Sequence, residues 1–398
     1  MNIITKSRLA CTHASPPSFP AQAGNPLETQ DRYGILHHGY SAFAEYDEPG
    51  KYPGNLGFGY NNLPRIFFFL LALTISCGTA RAGDAPVLSP PLDCRLDETC
   101  WIVNYVDTDP AKDMAKDFTC GPRTYDDHDG TDFAIADQVK MESGVAVFAA
   151  APGTVRRVRD EIDDKTPTED DIKTMLTARK GCGNGILIDH GNGWETIYCH
   201  MKRGSVSVKP GEEVKTGDRI GLVGQSGAAE FPHLHIAVFH EGRIVDPFTG
   251  FGREAPCGTE NQHPLWRKDS GIDYAPVSLY AAGFREGVPD FDAIKIDSAS
   301  PDKIAASAPA LVFWAEFFGA REGDAIRMEI LGPDGRPFAE RDIVQERTRA
   351  RQFYYLGRPA SADGLPPGLY RGRLTLTRPA PDGAAPLERE ITHIVRVD

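Results

Sequence analysis

The 398-residue chain is short of basic charge: 43 Lys and Arg stand against 56 Asp and Glu, a formal net charge of −13. Attraction to phosphates needs a basic surface, so the balance excludes nucleic acid as a partner and disfavours an anionic lipid surface. Long apolar runs are scarce too. The strongest, residues 66–75 (IFFFLLALTI), has about half the ~20 residues that cross a bilayer as a helix, which argues against a permanent membrane span. No C-x-x-C pair exists among the eight cysteines, which weighs against zinc clustering by thiolates. No methionine lies between Met1 and Met114, and no segment repeats at a fixed period. What the chain has in excess is glycine (40) and proline (31), which favour tight turns and short strands over a helical bundle. With 41% apolar and 25% charged residues, it reads as a soluble, β-rich globular protein long enough for two domains.

Residues 66–75 follow Arg65 and lead to Ala80-Arg81-Ala82, the three-part layout of a secretory signal peptide, with cleavage expected after Ala82. Residues 1–62 precede it, where a leader should have nothing before it. Leu63 is therefore read as the true start, leaving 1–62 as a doubtful extension and 63–82 as the signal peptide. Thr74-Ile75-Ser76 makes a poor lipidation sequence before Cys77. Beyond Ala82 remain Cys94, Cys100, Cys120, Cys182, Cys199 and Cys257. An even set in an exported chain implies disulfides, with 15 pairings open.

Residues 83–125 form a Cys-bearing segment without clear periodicity. From 126 to 250, short β-type runs alternate with glycine turns, and His190-Gly191-Asn192-Gly193 between two runs is a hairpin signal, because Asn-Gly tolerates positive φ. A charged, helix-permissive insertion at 159–180 interrupts this region, and its acidic run reads most simply as a solvated loop. Residues 251–290, with four prolines, look like a connector. In 291–398, alternation such as Ile326, Met328 and Ile330 against Arg327 and Glu329, with the Pro333-Asp334-Gly335 turn, suggests about seven short strands and an immunoglobulin-like sandwich. The expected fold class is mainly β: an antiparallel sheet domain followed by that sandwich.

Of the eleven histidines, His13, His37 and His38 fall in the doubtful extension, His190 sits in a turn, and His240, His263 and His393 lack partners at motif spacing. Four others stand apart. His128 and Asp132 form H-x-x-x-D, with a glycine and a threonine between them that let two ligands converge. His233-Leu234-His235 begins a strand, whose period of two aims both imidazoles at one face. His200 ends the strand that the hairpin folds back, a third imidazole for the same groove. Two histidines and a carboxylate, with a fourth position left for water, is the usual count for a hydrolytic zinc site.

In order and spacing, HDGTD, ETIYCHM and FPHLHIAV resemble the LytM and lysostaphin-type peptidoglycan metallo-endopeptidases, over about 110 residues. The insertion at 159–180 is the main departure. The resemblance implies one Zn2+ per chain held by His128, Asp132 and His235, with His200 and His233 as the catalytic pair that does not bind metal. It further implies an exported enzyme of the periplasm or cell envelope that cuts peptidoglycan peptide stems, and the C-terminal sandwich is read as a module for binding a cell-envelope protein partner. Three rival readings are weaker. A biotinyl or lipoyl carrier would need a modifiable lysine at a hairpin tip. A non-catalytic LytM-type scaffold, which binds peptidoglycan or activates a cell-wall amidase, characteristically lacks ligands that are all present here. Zinc D-Ala-D-Ala carboxypeptidases place the carboxylate farther from the first histidine. Cys199 beside His200 would point to the opposite face of a strand, so a disulfide, with Cys182 on the facing strand, accounts for it better than a thiol nucleophile does.

Overall fold

The computed structural model describes residues 85–112, 114–380 and 384–398. The doubtful extension 1–62 and the signal peptide 63–82 lie outside the described residues. Among the described residues no helix is long and apolar enough to cross a membrane.

The first part of the chain runs β1 (Cys100–Asn104), β2 (Thr131–Ile135), α1 (Gln138–Ser143), β3 (Ala146–Phe148), β4 (Gly153–Arg159), α2 (Glu169–Thr177) and β5 (Asn184–Gly191). It continues through β6 (Trp194–Met201), β7 (Glu213–Val214), β8 (Arg219–Leu222), β9 (His233–His240) and β10 (Arg243–Val245). One sheet takes the order β1-β2-β9-β6-β5-β4-β7 with β10 added on β9, every pairing antiparallel, while β3 and β8 form a separate pair. The hairpin between β5 and β6 turns at Asn192 and Gly193, whose φ values of 54° and 79° are those a primed turn requires.

Alternation along β9 sorts its side chains. Leu234, Ile236 and Val238 enter the main core with Phe133, Ile135 and Tyr198. The opposite face carries Ala237 and Phe239, which join Cys182, Leu187, Ile197 and Cys199 in a smaller apolar cluster. His233 and His235 occupy that same face one turn of the pleat earlier.

Three of the sequence segments gain elements in the structure. The segment 83–125 supplies β1. The helix-permissive insertion 159–180 forms α2, none of whose residues is buried, and it starts at a capping box in which Thr168 and Asp171 satisfy each other's backbone N–H. Its Asp164 also accepts the backbone N–H groups of Gln225 and Arg203 at 2.7 and 2.9 Å, tying the insertion to the body. The connector 251–290 ends in a strand, β11 (Ser278–Arg285), because Leu279 to Phe284 pairs along the next sheet rather than spanning a gap.

After β11 come α3 (Phe291–Ile296), β12 (Lys303–Ile304), β13 (Ala310–Ala320), β14 (Ala325–Leu331), β15 (Pro337–Val344), β16 (Arg349–Pro359), β17 (Gly368–Arg378) and β18 (Leu387–Val397). They form a three-stranded sheet, β11-β13-β16, and a five-stranded sheet, β12-β18-β17-β14-β15. Phe284, Phe313 and Phe317 of the first meet Ile326, Leu374 and Val395 of the second in a shared core. At Gly372 the approach is so close that a Cβ would stand 2.2 Å from the Phe313 ring, which is why a residue without a side chain sits there.

The two parts of the molecule share a buried seam in which Trp101, Val103, Ala134 and Phe231 pack on Tyr280 and Phe318. All six cysteines of the described residues are paired, as Cys94–Cys100, Cys120–Cys257 and Cys182–Cys199. The last is the pair suggested by the facing strands.

Candidate active site

β2 and β9 build the centre of the site. Their ladder sets Asp132 directly opposite His235, so carboxylate and imidazole leave the same face side by side. His128 reaches them from the turn before β2. The Asp132 Oδ1 atom lies 3.1 Å from His128 Nε2 and 3.0 Å from His235 Nδ1, and the two imidazole nitrogens are 3.1 Å apart. All three residues are buried, at 1 to 7% exposure. Ligand atoms on a tetrahedron with bonds of 2.0–2.2 Å stand about 3.3–3.6 Å apart, so this triangle needs to open by only a few tenths of an ångström to take a zinc ion. Two imidazoles and a carboxylate are also the donor set of hydrolytic zinc sites, which keep the fourth corner for water. The residues present fit the metal.

The peptidase family M23 profile matches residues 126–247, the stretch that carries all five site residues. Over 119 residues the chain is 33% identical to the peptidoglycan DD-endopeptidase ShyA of Vibrio cholerae, a match that covers 30% of this chain and 22% of that protein. Over 108 residues it is 36% identical to the DD-carboxypeptidase/endopeptidase Mpg of Neisseria meningitidis, covering 27% and 22%. Residues 126–247 form a peptidase family M23 domain. The chain spans about a fifth of the length of these relatives. A crystal structure of a zinc-containing peptidase from Vibrio cholerae is 24% identical, with a TM-score of 0.28, and covers 41% of this chain and 39% of its own.

Around the M23 centre, each ligand candidate is held through its other atom, the arrangement that fixes tautomer and ring orientation in metal sites. His128 Nδ1 lies 2.6 Å from the Tyr105 carbonyl, so it donates there and leaves Nε2 for the metal. His235 is the mirror case, with Nε2 bonded to Asp129 Oδ1 at 3.0 Å and Nδ1 turned inward. The second oxygen of Asp132 accepts from Asn104 Nδ2 at 2.8 Å. Asp129 and Asn104 escaped the sequence reading. Asp129 stood inside HDGTD, where it could have been noticed. Asn104 lies 28 residues before its partner, on a strand that gave no signal.

The electrostatics follow from burial and this crowding. Burial opposes charge on Asp132, yet the His128 and His233 imidazoles and its hydrogen bonds hold it well below the usual carboxylate range. Burial also pulls His235 down, but the hydrogen bonds and charges of Asp129 and Asp132 outweigh it and push that imidazole up to about 10.

His200 and His233 complete the quintet, with ring centroids 4.6 Å apart. His233 Nδ1 is bonded to the Phe231 carbonyl and His200 Nδ1 to the Ser226 carbonyl, both at 2.8 Å, which leaves both Nε2 atoms without a main-chain partner, that of His233 3.7 Å from Asp132 Oδ1. Burial lowers the pKa of both, that of His200 well below 6.5 with the neighbouring His233 and His235 adding to it. Both imidazoles are neutral at neutral pH. Simple alternation from Tyr198, which lies in the main core, would have sent His200 into that core. Instead the β5–β6 register slips between Ile186 and Asn184, and His200 adopts φ 59°. The bulge turns the ring to the face of His233, and a non-glycine residue in this region is strain of the kind found at functional sites.

Proposed function

We propose that the protein is an exported zinc metallo-endopeptidase that hydrolyses peptide cross-links in bacterial peptidoglycan. The observation that carries the reading is the triangle of His128, Asp132 and His235 with two neutral imidazoles turned toward it. The names of the M23 relatives, a peptidoglycan DD-endopeptidase and a DD-carboxypeptidase/endopeptidase, support peptidoglycan stems as the substrate. Three disulfides support an oxidising compartment, the periplasm or cell envelope. The order β18-β17-β14 facing β11-β13-β16 supports the immunoglobulin-like reading of the C-terminal part, in which consecutive strands divide between two sheets in this way.

Zinc held by His128, Asp132 and His235 would supply Lewis acidity for the scissile carbonyl and lower the pKa of water toward ~7. With Nδ1–H donated to a main-chain carbonyl, each of His200 and His233 presents an unprotonated Nε2, the form that takes a proton from the attacking water. Once protonated, the same nitrogen is a donor. It can then steady the developing oxyanion or pass the proton to the leaving amine.

Elemental analysis and activity separate the roles. Asp132→Ala should lose zinc and peptidoglycan cleavage together, whereas His200→Ala should keep zinc and lose cleavage. Retention of full cleavage by both variants would overturn this centre as the catalytic site, whereas a zinc-loaded parent chain that cleaves no peptidoglycan would leave the non-catalytic scaffold.

A further inference from the structure

The main-chain carbonyl that orients His233 belongs to Phe231, a residue of the M23 domain whose side chain is seated in the C-terminal sheets. The Phe231 ring lies 4.8 Å from the His233 ring on one side and 5.8 Å from the Phe318 ring on the other. Above it sits the guanidinium of Arg351, 5.0 Å from the ring centroid. Arg351 also lies 4.9 Å from Phe291 and 5.3 Å from Phe318. It is 3% exposed and pairs with Glu316, itself 1% exposed. A planar cation buried among aromatic faces is held more firmly than one in solvent.

A second contact converges on the same segment. Tyr280 of β11 donates its hydroxyl to the carbonyls of Ile135 and, at 3.1 Å, of Ala136. The Ile135 N–H in turn bonds the Pro232 carbonyl at 3.2 Å. Residues 231 and 232 are thus gripped from both sides just before β9 delivers His233 and His235. Along the same seam, Arg123 joins the parts again, donating to the Phe318 carbonyl at 3.3 Å and to the Ile102 and Val103 carbonyls of β1, the strand whose Asn104 holds Asp132.

We propose that the C-terminal two-sheet unit is a positioning part of the catalytic site, in which Arg351, paired with Glu316, clamps Phe231 so that its carbonyl fixes the orientation of the His233 imidazole. This rests on the reading of His233 as a catalytic group. The unit is then no tethered accessory: a side chain about 120 positions along the chain from His233 determines where His233 Nε2 points. Neither Arg351 nor Phe231 is assigned contact with substrate, so both act through His233.

The test uses the full chain with two variants, Phe231→Leu and the double variant Arg351→Met with Glu316→Gln, which removes the ion pair without leaving a buried charge unpaired. In each, kcat for peptidoglycan cleavage should fall by roughly 10- to 100-fold, the scale of an ångström-sized misplacement, with KM and zinc per chain unchanged. Nitrogen-15 spectra of histidine-labelled protein should show a pinned Nδ1–H tautomer at His233 in the parent chain and lose it in both variants, while His200 keeps its own. A kcat and a His233 spectrum equal to the parent's in folded variants would overturn the proposal and make the seam packing only. If the double variant does not fold, Phe231→Leu decides. If the parent chain cleaves nothing, the functional reading falls, and the His233 spectra still decide whether the C-terminal unit sets this ring.

Discussion

Gly130 shows how little freedom the ligand turn has. A Cβ at this position would lie 2.6 Å from His235 Nε2 and 2.6 Å from the Ile236 carbonyl, so a methyl group must displace the imidazole that Asp129 orients. Gly130→Ala should therefore weaken zinc binding by about 10- to 100-fold, as loss of a supporting contact does, which competition with a chelator would measure. For His200 and His233, the proposed catalytic pair, His200→Ala and His233→Ala should keep zinc and lose roughly 10²- to 10⁴-fold in rate, the range of a general acid-base group. The pH profile carries a sign. The neutral imidazole is the active form, and burial lowers its pKa, so both imidazoles should take up their proton below the ordinary 6.5, apart from any limb near ~7 that zinc-bound water adds to kcat/KM. A nitrogen-15 titration in which either ring protonates at or above 6.5 would contradict the buried pair. The quintet was legible because H-x-x-x-D and H-x-H are short and fix relative geometry locally. Asn104 and Asp129 were not, since what they do depends on partners that only the folded sheet brings within reach.

At the scale of elements, the bulge at the end of β6 matters most. His200 donates its backbone N–H to the Cys182 carbonyl at 2.8 Å, and Cys182 is bonded to Cys199, so the disulfide braces the strained turn that aims the ring. Reduction should cost about 3 kcal/mol on the loop-closure scale for a loop of this length, and selective loss of this bridge should lower kcat before it lowers zinc content. Paired melting curves and metal analysis of a Cys182→Ala, Cys199→Ala variant would read both. Asp246, just after β10, offers a separate test. Burial raises its carboxyl to about 7, and its Oδ2 has no partner. A raised carboxyl is harmless below its unfolded pKa of ~3.9 and costs stability as pH rises toward 7. Asp246→Asn, which retains an acceptor for the Phe248 N–H, should thus gain stability over the parent progressively between about pH 4 and 7, in melts across that range. Alternation predicted the strands of the sheet well. It could not predict the bulge, because one slipped residue reverses every face that follows.

For the whole molecule, the seam changes what an independent unit is. Residues 291–398 lack β11, which pairs with β13 from Ser278 opposite Phe318 to Arg285 opposite Val312, so a fragment starting at 291 should not melt cooperatively, whereas one starting at 277 should. Circular dichroism of the two fragments separates the cases. The strand β11 within the connector was not legible because Pro276 and Pro289 bracket it and masked its apolar residues. The β-rich composition, by contrast, was enough to anticipate antiparallel sheets in both parts. The central claim is that this fold cuts wall cross-links with zinc at the M23 centre. Mass spectrometry of purified, cross-linked peptidoglycan after digestion tests it directly: cross-linked dimers should decline as monomers rise, chelation should abolish the change, and added zinc should restore it. Dimers that persist with zinc-loaded protein, or cleavage that survives exhaustive removal of metal, would contradict the account.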